Sequence, residues 1–382
     1  MASLKIHHLW MALAIIYGAV FPVRAIPQPG HDGDYFKVDG PCGFQFPDDH
    51  GEHSGYRTEW WYYTGNVFDA KGNQFGFQLT FFRSQISTNQ EMEITVNASS
   101  NWRFAQIYFG HAAISDISRN RFFHDDLMTR GALKLAGVDA RKEEIHVYLK
   151  NWSATIKTDE HRLKCRSDDF ALDIHLKALK PLVAHGNDGY SRKGRSPERA
   201  SCYYSYTRLK ADGFITIDDV SYAISGNAWM DHEYSSAPLD PVAIGWDWFS
   251  LQFDDQTELM LFFVREMDGG FSPASGGTFI DARGQKISLA LKQVHVQVDK
   301  KWKSPSTQAV YPSQWQIEIP DLELRLQIRS NLDDQELTTH QSTGVTYWEG
   351  SVRVIAERQQ KPLTGHGYVE LTGYAEPFRS PL

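Results

Sequence analysis

From Tyr56 onward, almost every segment of the chain alternates apolar and polar side chains with a period of two. Examples are Phe75-Gly-Phe-Gln-Leu-Thr-Phe-Phe, Ile145-His-Val-Tyr-Leu, Phe170-Ala-Leu-Asp-Ile-His-Leu, Phe214-Ile-Thr-Ile and Trp315-Gln-Ile-Glu-Ile. That period matches a strand with one dry and one wet face, and no helix satisfies it. Turn signals break the pattern at short intervals: Asp69-Ala-Lys-Gly-Asn, Ala211-Asp-Gly and Asp281-Ala-Arg-Gly. Many short strands punctuated in this way predict an all-β sandwich or barrel. The clearest helix-period stretch runs from Asp125 to Ala136. With 382 residues, 41 % of them apolar, the chain can build a sizeable core, and its length suggests two domains. The 47 acidic side chains exceed the 39 basic ones and are spread along the chain, which excludes a broad nucleic-acid-gripping face.

A weak internal repeat divides the chain. Trp61-Tyr-Tyr-Thr-Gly-Asn-Val-Phe-Asp69 aligns with Trp246-Asp-Trp-Phe-Ser-Leu-Gln-Phe-Asp254, and each copy is followed by an apolar strand ending in Arg83 or Arg265. Two copies of one opening hairpin predict two similar barrels in tandem. Ser235-Ser-Ala-Pro-Leu-Asp-Pro241 reads as the linker between them, and His185 to Pro197 as a long loop on the first barrel. The expected division is 26–240 and 241–382.

The first 25 residues are of another kind. Lys5 and two histidines precede the apolar run Leu9 to Phe21, no acidic residue occurs before Asp32, and Val23-Arg24-Ala25 offers small residues at a cleavage site. This predicts a secretory signal peptide cleaved after Ala25, and hence a secreted or periplasmic protein with no transmembrane segment in the mature chain. Among the three cysteines, Cys42, Cys165 and Cys202, an oxidising compartment permits one disulfide, for example Cys165 with Cys202, and leaves one thiol free, with the pairing open.

Four stretches concentrate polar groups among aromatics: Glu59-Trp60-Trp61-Tyr62, Gly110-His111 to Asp116, Gly226-Asn-Ala-Trp229-Met-Asp231-His232-Glu233, and Gly245-Trp246-Asp247-Trp248. Alternation puts Trp246 and Trp248 on one strand face. If they point into a barrel they wall an apolar pocket, to which Asp231 or His232 could supply a proton. Each feature also has a structural reading. Asp231 to Glu233 could tie two barrels together, the tryptophans could be core, and Glu59 could pair with Arg83 across strands. No ligand spacing recommends a metal site, with His232, Glu233 and His111 the set to check, and no nucleotide-cofactor fingerprint is present.

The run Gly226-Asn-Ala-Trp-Met-Asp-His-Glu233, followed by Gly245-Trp-Asp-Trp-Phe-Ser-Leu-Gln, resembles the AttH-like family that includes carotenoid 1,2-hydratases (hydroxyneurosporene synthases). Glu59-Trp-Trp-Tyr-Tyr-Thr-Gly-Asn, Ser304-Pro-Ser-Thr, Asp334-Gln-Glu-Leu337, Tyr347-Trp-Glu-Gly350 and Gly367-Tyr-Val-Glu-Leu-Thr-Gly-Tyr374 extend the likeness over nearly the whole chain, closest to a secreted bacterial AttH-like branch. The resemblance implies two tandem lipocalin-like (calycin) β-barrels. It also implies acid-initiated, cofactor-free addition of water to a carbon–carbon double bond. Asp231 would then be the proton donor and His232 its partner. Trp60, Trp61, His111, Trp229, Trp246 and Trp248 would line the site of an apolar, isoprenoid- or lipid-like molecule. The second functional reading is a non-catalytic lipid carrier serving a membrane transporter.

Overall fold

The computed structural model describes residues 35–86 and 106–378; the signal-like segment therefore lies outside the described residues. The alternating segments form two antiparallel sheets. The first runs β1 (Thr58–Asp69), β2 (Gln74–Gln85), β3 (Gln106–Asp116), β4 (Arg121–Arg130), β5 (Ala136–Arg141), β6 (Glu144–Leu149), β7 (Trp152–Lys157), β8 (Glu160–Arg166) and β9 (Phe170–Ala178). It continues through the short β10 (Val183–Ala184) and β11 (Tyr190–Arg192) to the long β12 (Ala200–Ile217) and β13 (Val220–Ser235). Its spatial order is β4-β3-β2-β1-β13-β12-β9-β8-β7-β6-β5, with β10 and β11 paired to β12. The sheet curls until β3 and β4 come against β6, and it encloses one core that includes Trp61, Phe77, Trp152, Ile174 and Tyr204.

The second sheet repeats the plan. It comprises β14 (Ala243–Phe253), β15 (Glu258–Glu266), β16 (Gly276–Ile280), β17 (Lys286–Ala290), β18 (His295–Lys303), β19 (Val310–Ile319) and β20 (Leu324–Ser330), then β21 (Glu336–Thr338), β22 (Thr346–Arg358) and β23 (Lys361–Thr372). Its order is β17-β16-β15-β14-β23-β22-β20-β19-β18, so the last strand again pairs with the first. Its core gathers Phe249, Trp315, Trp348 and their neighbours. Each barrel's interior is lined by these buried side chains.

The repeat is real but slips by one residue from its sequence alignment. Arg83 stands opposite Glu59, whereas Arg265 stands opposite Gly245. With the arginines matched, Trp246 corresponds to Trp60 and Trp248 to Tyr62. One residue of slip reverses faces. Trp61 therefore points into the first barrel, while Trp246 and Trp248 point out of the second.

Two further expectations are corrected. The stretch from Asp125 to Ala136 is not helical: β4 continues to Arg130, Leu133 and Lys134 adopt φ of 55° and 57°, and Ala136 opens β5. As the edge strand, β4 is half-buried along most of its length, so it lacks the clean alternation that marks its neighbours. The disulfide joins Cys42 to Cys202, not Cys165 to Cys202. Cys165 points into the first barrel's core as a free thiol, whereas Cys202 faces the N-terminal arm beside Val38 and Tyr234. Among the described residues no helix is long and apolar enough to cross a membrane.

The barrels meet through their outer faces. Tyr62, Tyr203, Trp229, Trp248, Met260 and Tyr368 form a third buried cluster there, with Trp60 and Trp246 packed against it. The approach is close: a Cβ on Gly76 would lie 2.6 Å from the Tyr368 hydroxyl. A bulge in β12 between Tyr206 and Leu209 re-aims Arg208 toward the second barrel, where it meets buried Glu258 at 2.6 Å. Lys180 reaches the same carboxylate at 2.8 Å.

Candidate functional site at the barrel junction

Residues directly opposite on neighbouring strands share a face. On the outside of the first barrel this places Ser205, Asp231, Tyr62, Thr80, His111 and Asp126 in one row across five strand pairings. On the second barrel it places Phe262, Trp248, Glu370 and Glu349 in another. The two rows bring several carboxyl groups into an aromatic junction.

Asp231 is buried and accepts hydrogen bonds from Tyr203 Oη at 2.9 Å, from Trp229 Nε1 at 2.6 Å and from Ser205 Oγ. Burial pushes its carboxyl up to about 7 against the pull of these donors. Tyr203 in turn accepts from Trp248 Nε1 at 3.2 Å. His185 sits behind Ser205, with Nε2 at 2.7 Å from Ser205 Oγ and Nδ1 at 2.9 Å from Thr278 Oγ1. Because Ser205 gives its hydrogen to Asp231, His185 Nε2 must donate and Nδ1 accept. Lys193 lies 4.6 Å over the rings of both Tyr203 and Phe262 and pairs with Glu233 at 3.1 Å.

Glu349 and Glu370 stand opposite each other on β22 and β23. Burial, then the charge of Glu370, drive the Glu349 carboxyl well above the usual range, with Tyr62 and Tyr347 nearby in partial compensation. Glu349 Oε1 and the Tyr62 hydroxyl are both buried and neither makes a well-formed hydrogen bond within the protein. Glu370 accepts from Trp246 Nε1 at 3.0 Å and from Thr372 Oγ1 at 2.9 Å, and burial pushes it up to about 7. Glu370, Trp60 and Trp246 are half-buried and mark the more open side of the junction. The arrangement can hold protons on carboxyl groups at neutral pH, among π-faces that would shelter a positive charge.

The sequence-selected residues divide between two places. Asp231, Trp60, Trp229, Trp246, Trp248 and His111 are at the junction; His111 bonds Tyr347 Oη at 2.8 Å and Ser342 Oγ at 3.0 Å, and burial pulls it down to about 3. His232 and Trp61 are inside the first barrel. His232 Nε2 is 2.8 Å from Glu59 Oε1, and its Nδ1 is 2.8 Å from Tyr204 Oη. Asp231 and His232 thus share no partner, because consecutive residues of a strand point to opposite faces. The expected ion pair is present, with Arg83 Nε 2.9 Å from Glu59 Oε2. Burial alone would raise Glu59, yet hydrogen bonds from His232 and His53 and the charge of Arg83 hold it far below the carboxylate range.

His232, Glu233 and His111 go to three different surroundings. A different set, His53, Glu59 and His232, has donor atoms within 4.8 Å of one another. Those atoms are already bonded together, and the Arg83 guanidinium and a protonated His53 supply positive charge there. Sequence reasoning missed Glu349, Glu370, Tyr203, His185 and Lys193. The signal for the first two was available as a lone Glu inside the apolar strands Tyr347-Trp-Glu-Gly350 and Tyr368-Val-Glu-Leu371.

Comparison with known proteins agrees with this architecture. The AttH-like family model matches residues 37–374. The crystal structure of an AttH protein from Nitrosomonas europaea is similar with a TM-score of 0.76 and 36 % identity, over 87 % of this chain and 97 % of that one. Kievitone hydratase from Nectria haematococca shares the fold at a TM-score of 0.67 and 15 % identity, over 90 % of this chain and 96 % of its own. The dehydratase asqC of Emericella nidulans is 22 % identical over 209 residues, which span 53 % of this chain and 57 % of that protein. The chain therefore matches little more than half the length of that curated relative.

Proposed function

Since the chain belongs to the AttH-like family, we propose that it adds water to, or removes it from, a carbon–carbon double bond of an apolar molecule held at the barrel junction. The observation that carries this reading is the Glu349–Glu370 pair, two carboxyls directly opposite each other beneath tryptophans, one with an oxygen free of partners. In the hydration direction a protonated carboxyl gives its proton to one alkene carbon. Water then attacks the carbocation at the other carbon and loses a proton to the second carboxylate. Dehydration reverses each step. A carbon base is weak, so the donor must be a neutral acid in a dry site, as burial makes Glu349. Its partner Glu370 lies nearer the middle of the range and is suited to accept.

Asp231 has a supporting part in this scheme. Three donors already occupy its oxygens, which suits it to hold Tyr203 and Trp229 in place. Hydratase- and dehydratase-named relatives on this fold support the reaction class. The leader-like start and the Cys42–Cys202 disulfide support export to an oxidising compartment.

The test is a panel of linear polyenes, isoprenoid alkenes and hydroxylated aromatic alkenes, incubated with the full-length protein and read by mass spectrometry for gain or loss of one water. We expect turnover of at least one class, reduced by about 100-fold or more in Glu349→Gln with binding retained, and by less in Asp231→Asn. Quenching of tryptophan fluorescence by a probe such as retinol, with no water gained or lost across the panel, would sink the enzymatic reading. It would favour the carrier instead.

A further inference from the structure

A cleft of about 760 Å³ opens between the edge strand β4 of the first barrel and the outer face of the second. None of the junction carboxyls Asp231, Glu349 and Glu370 lines it. Its wall on the second barrel carries a row of side chains in register. Lys300 stands opposite Gln314, Gln314 opposite Arg329, and Arg329 opposite Arg353. Like charges directly opposite on adjacent strands repel, so two bare arginines in this position oppose the folding of the sheet that holds them.

Three carboxylates, Asp333, Asp334 and Glu336, share the lining of the cleft, and none pairs with either arginine. Glu336 is taken up by the hydroxyls of Ser304, Ser306, Thr307 and Tyr311. Asp333 accepts from Ser330 and reaches Lys300 at 3.5 Å. Arg329 and Arg353 are exposed and make no ion pair or hydrogen bond with any described residue. The cleft thus holds a guanidinium pair that no carboxylate of its own lining answers directly.

We propose that this cleft binds an oxyanion, a phosphate or diphosphate group, between Arg329 and Arg353. Two guanidinium forks on adjacent strands can each offer paired N–H donors to such a group, a geometry that a single lysine does not reproduce. Trp302 and Phe122 flank the cationic wall and offer an apolar surface beside it. The cleft volume falls in the range of small-molecule sites, larger than a bare phosphate requires. The ligand it fits is a phosphorylated small molecule with an apolar or aromatic body, and the same donors would take free phosphate.

The test is calorimetric titration of the full-length protein with pyrophosphate, dodecyl phosphate below its micelle concentration, and dodecanol. Both phosphate probes should bind, each arginine substitution, Arg329→Gln or Arg353→Gln, should weaken binding by about tenfold, and the double variant should abolish it. Because both side chains are exposed, the variants should melt no lower than the parent. Tighter binding of dodecyl phosphate than of pyrophosphate identifies an amphiphile's head group as the ligand; equal binding identifies the free anion. Absence of phosphate binding, unchanged affinity in both variants, or dodecanol binding as well as dodecyl phosphate would overturn the proposal. Turnover at the junction plays no part in this readout, so failure here and failure of the hydratase reading are distinguishable.

Discussion

Asp231 and His232 adjoin in the chain and belong to different compartments of the molecule, and the difference is readable in their protons. Burial works on both signs of group here. It lifts Asp231 and Glu370 to about 7, and it lowers His50 to about 2 and His111 and His161 to about 3. The histidines are neutral in the folded protein but charge in the unfolded chain below 6.5, so their contribution to stability is lost as pH falls from 6.5 toward 3. The two raised carboxyls act oppositely: the folded state holds their protons more tightly, so rising pH between about 4 and 7 takes stability away. His53 is raised to about 9 by Asp49 and Glu59 despite burial; its pairing is fully present below 6.5 and is lost as pH rises through 9. Imidazole signals in nuclear magnetic resonance should therefore show no protonation of His111 or His161 between about pH 8 and 5, with His53 charged below about pH 8. A normal titration of His111 near pH 6.5 would mean that water reaches the junction freely.

At the level of strands, the sequence was legible wherever one face is dry. The alternation of β8, β9 and β19 reads directly off the side chains, because their outer faces meet solvent. It blurs in β1, β13 and β14, where the outer face is buried against the other barrel and both faces are apolar or aromatic. That is why Trp246 and Trp248 could be assigned to a common face but not to the right side of the sheet. The carboxyls of the site were hidden for the same reason: Glu349 lies in a strand whose every residue from Tyr347 to Val352 is buried. The cysteine pairing was beyond reach because it depends on where an irregular arm of residues 35–57 returns to β12. Replacing Cys42 and Cys202 by Ser should lower stability by about 2–5 kcal/mol in denaturant titrations. Cys165, buried and with its thiol pushed up by burial, should stay unreactive to thiol reagents until the protein unfolds. Equal stability without the bridge would mean that the arm contributes little to the fold.

At the scale of the molecule, the two barrels are joined by more than a linker. Glu258 receives Lys180 and Arg208 from the first barrel, and Asn66 donates to Gly367 O at 3.0 Å. Breaking a buried ionic cluster by removing one sign costs about 3–5 kcal/mol. Glu258→Gln should therefore uncouple the halves, and calorimetry should resolve two melting transitions where the parent has one. A single transition at an unchanged temperature would count against Glu258 as the tie. The tandem plan itself could be read from the repeated hairpin. That the shared surface, and not either interior, gathers the carboxyls could not, since it depends on how two finished barrels sit together.

The division of β1 and β14 between core and junction has a practical consequence for anyone wishing to alter what this protein accepts. Odd-numbered positions of β1 and β14, such as Trp61, Tyr63, Phe249 and Leu251, hold each half together, whereas even-numbered ones, Trp60, Tyr62, Trp246 and Trp248, line the junction. Fold and recognition are thus written on alternate letters of the same strands. A randomised library restricted to the even letters would explore new substrates while leaving the alphabet of the core intact.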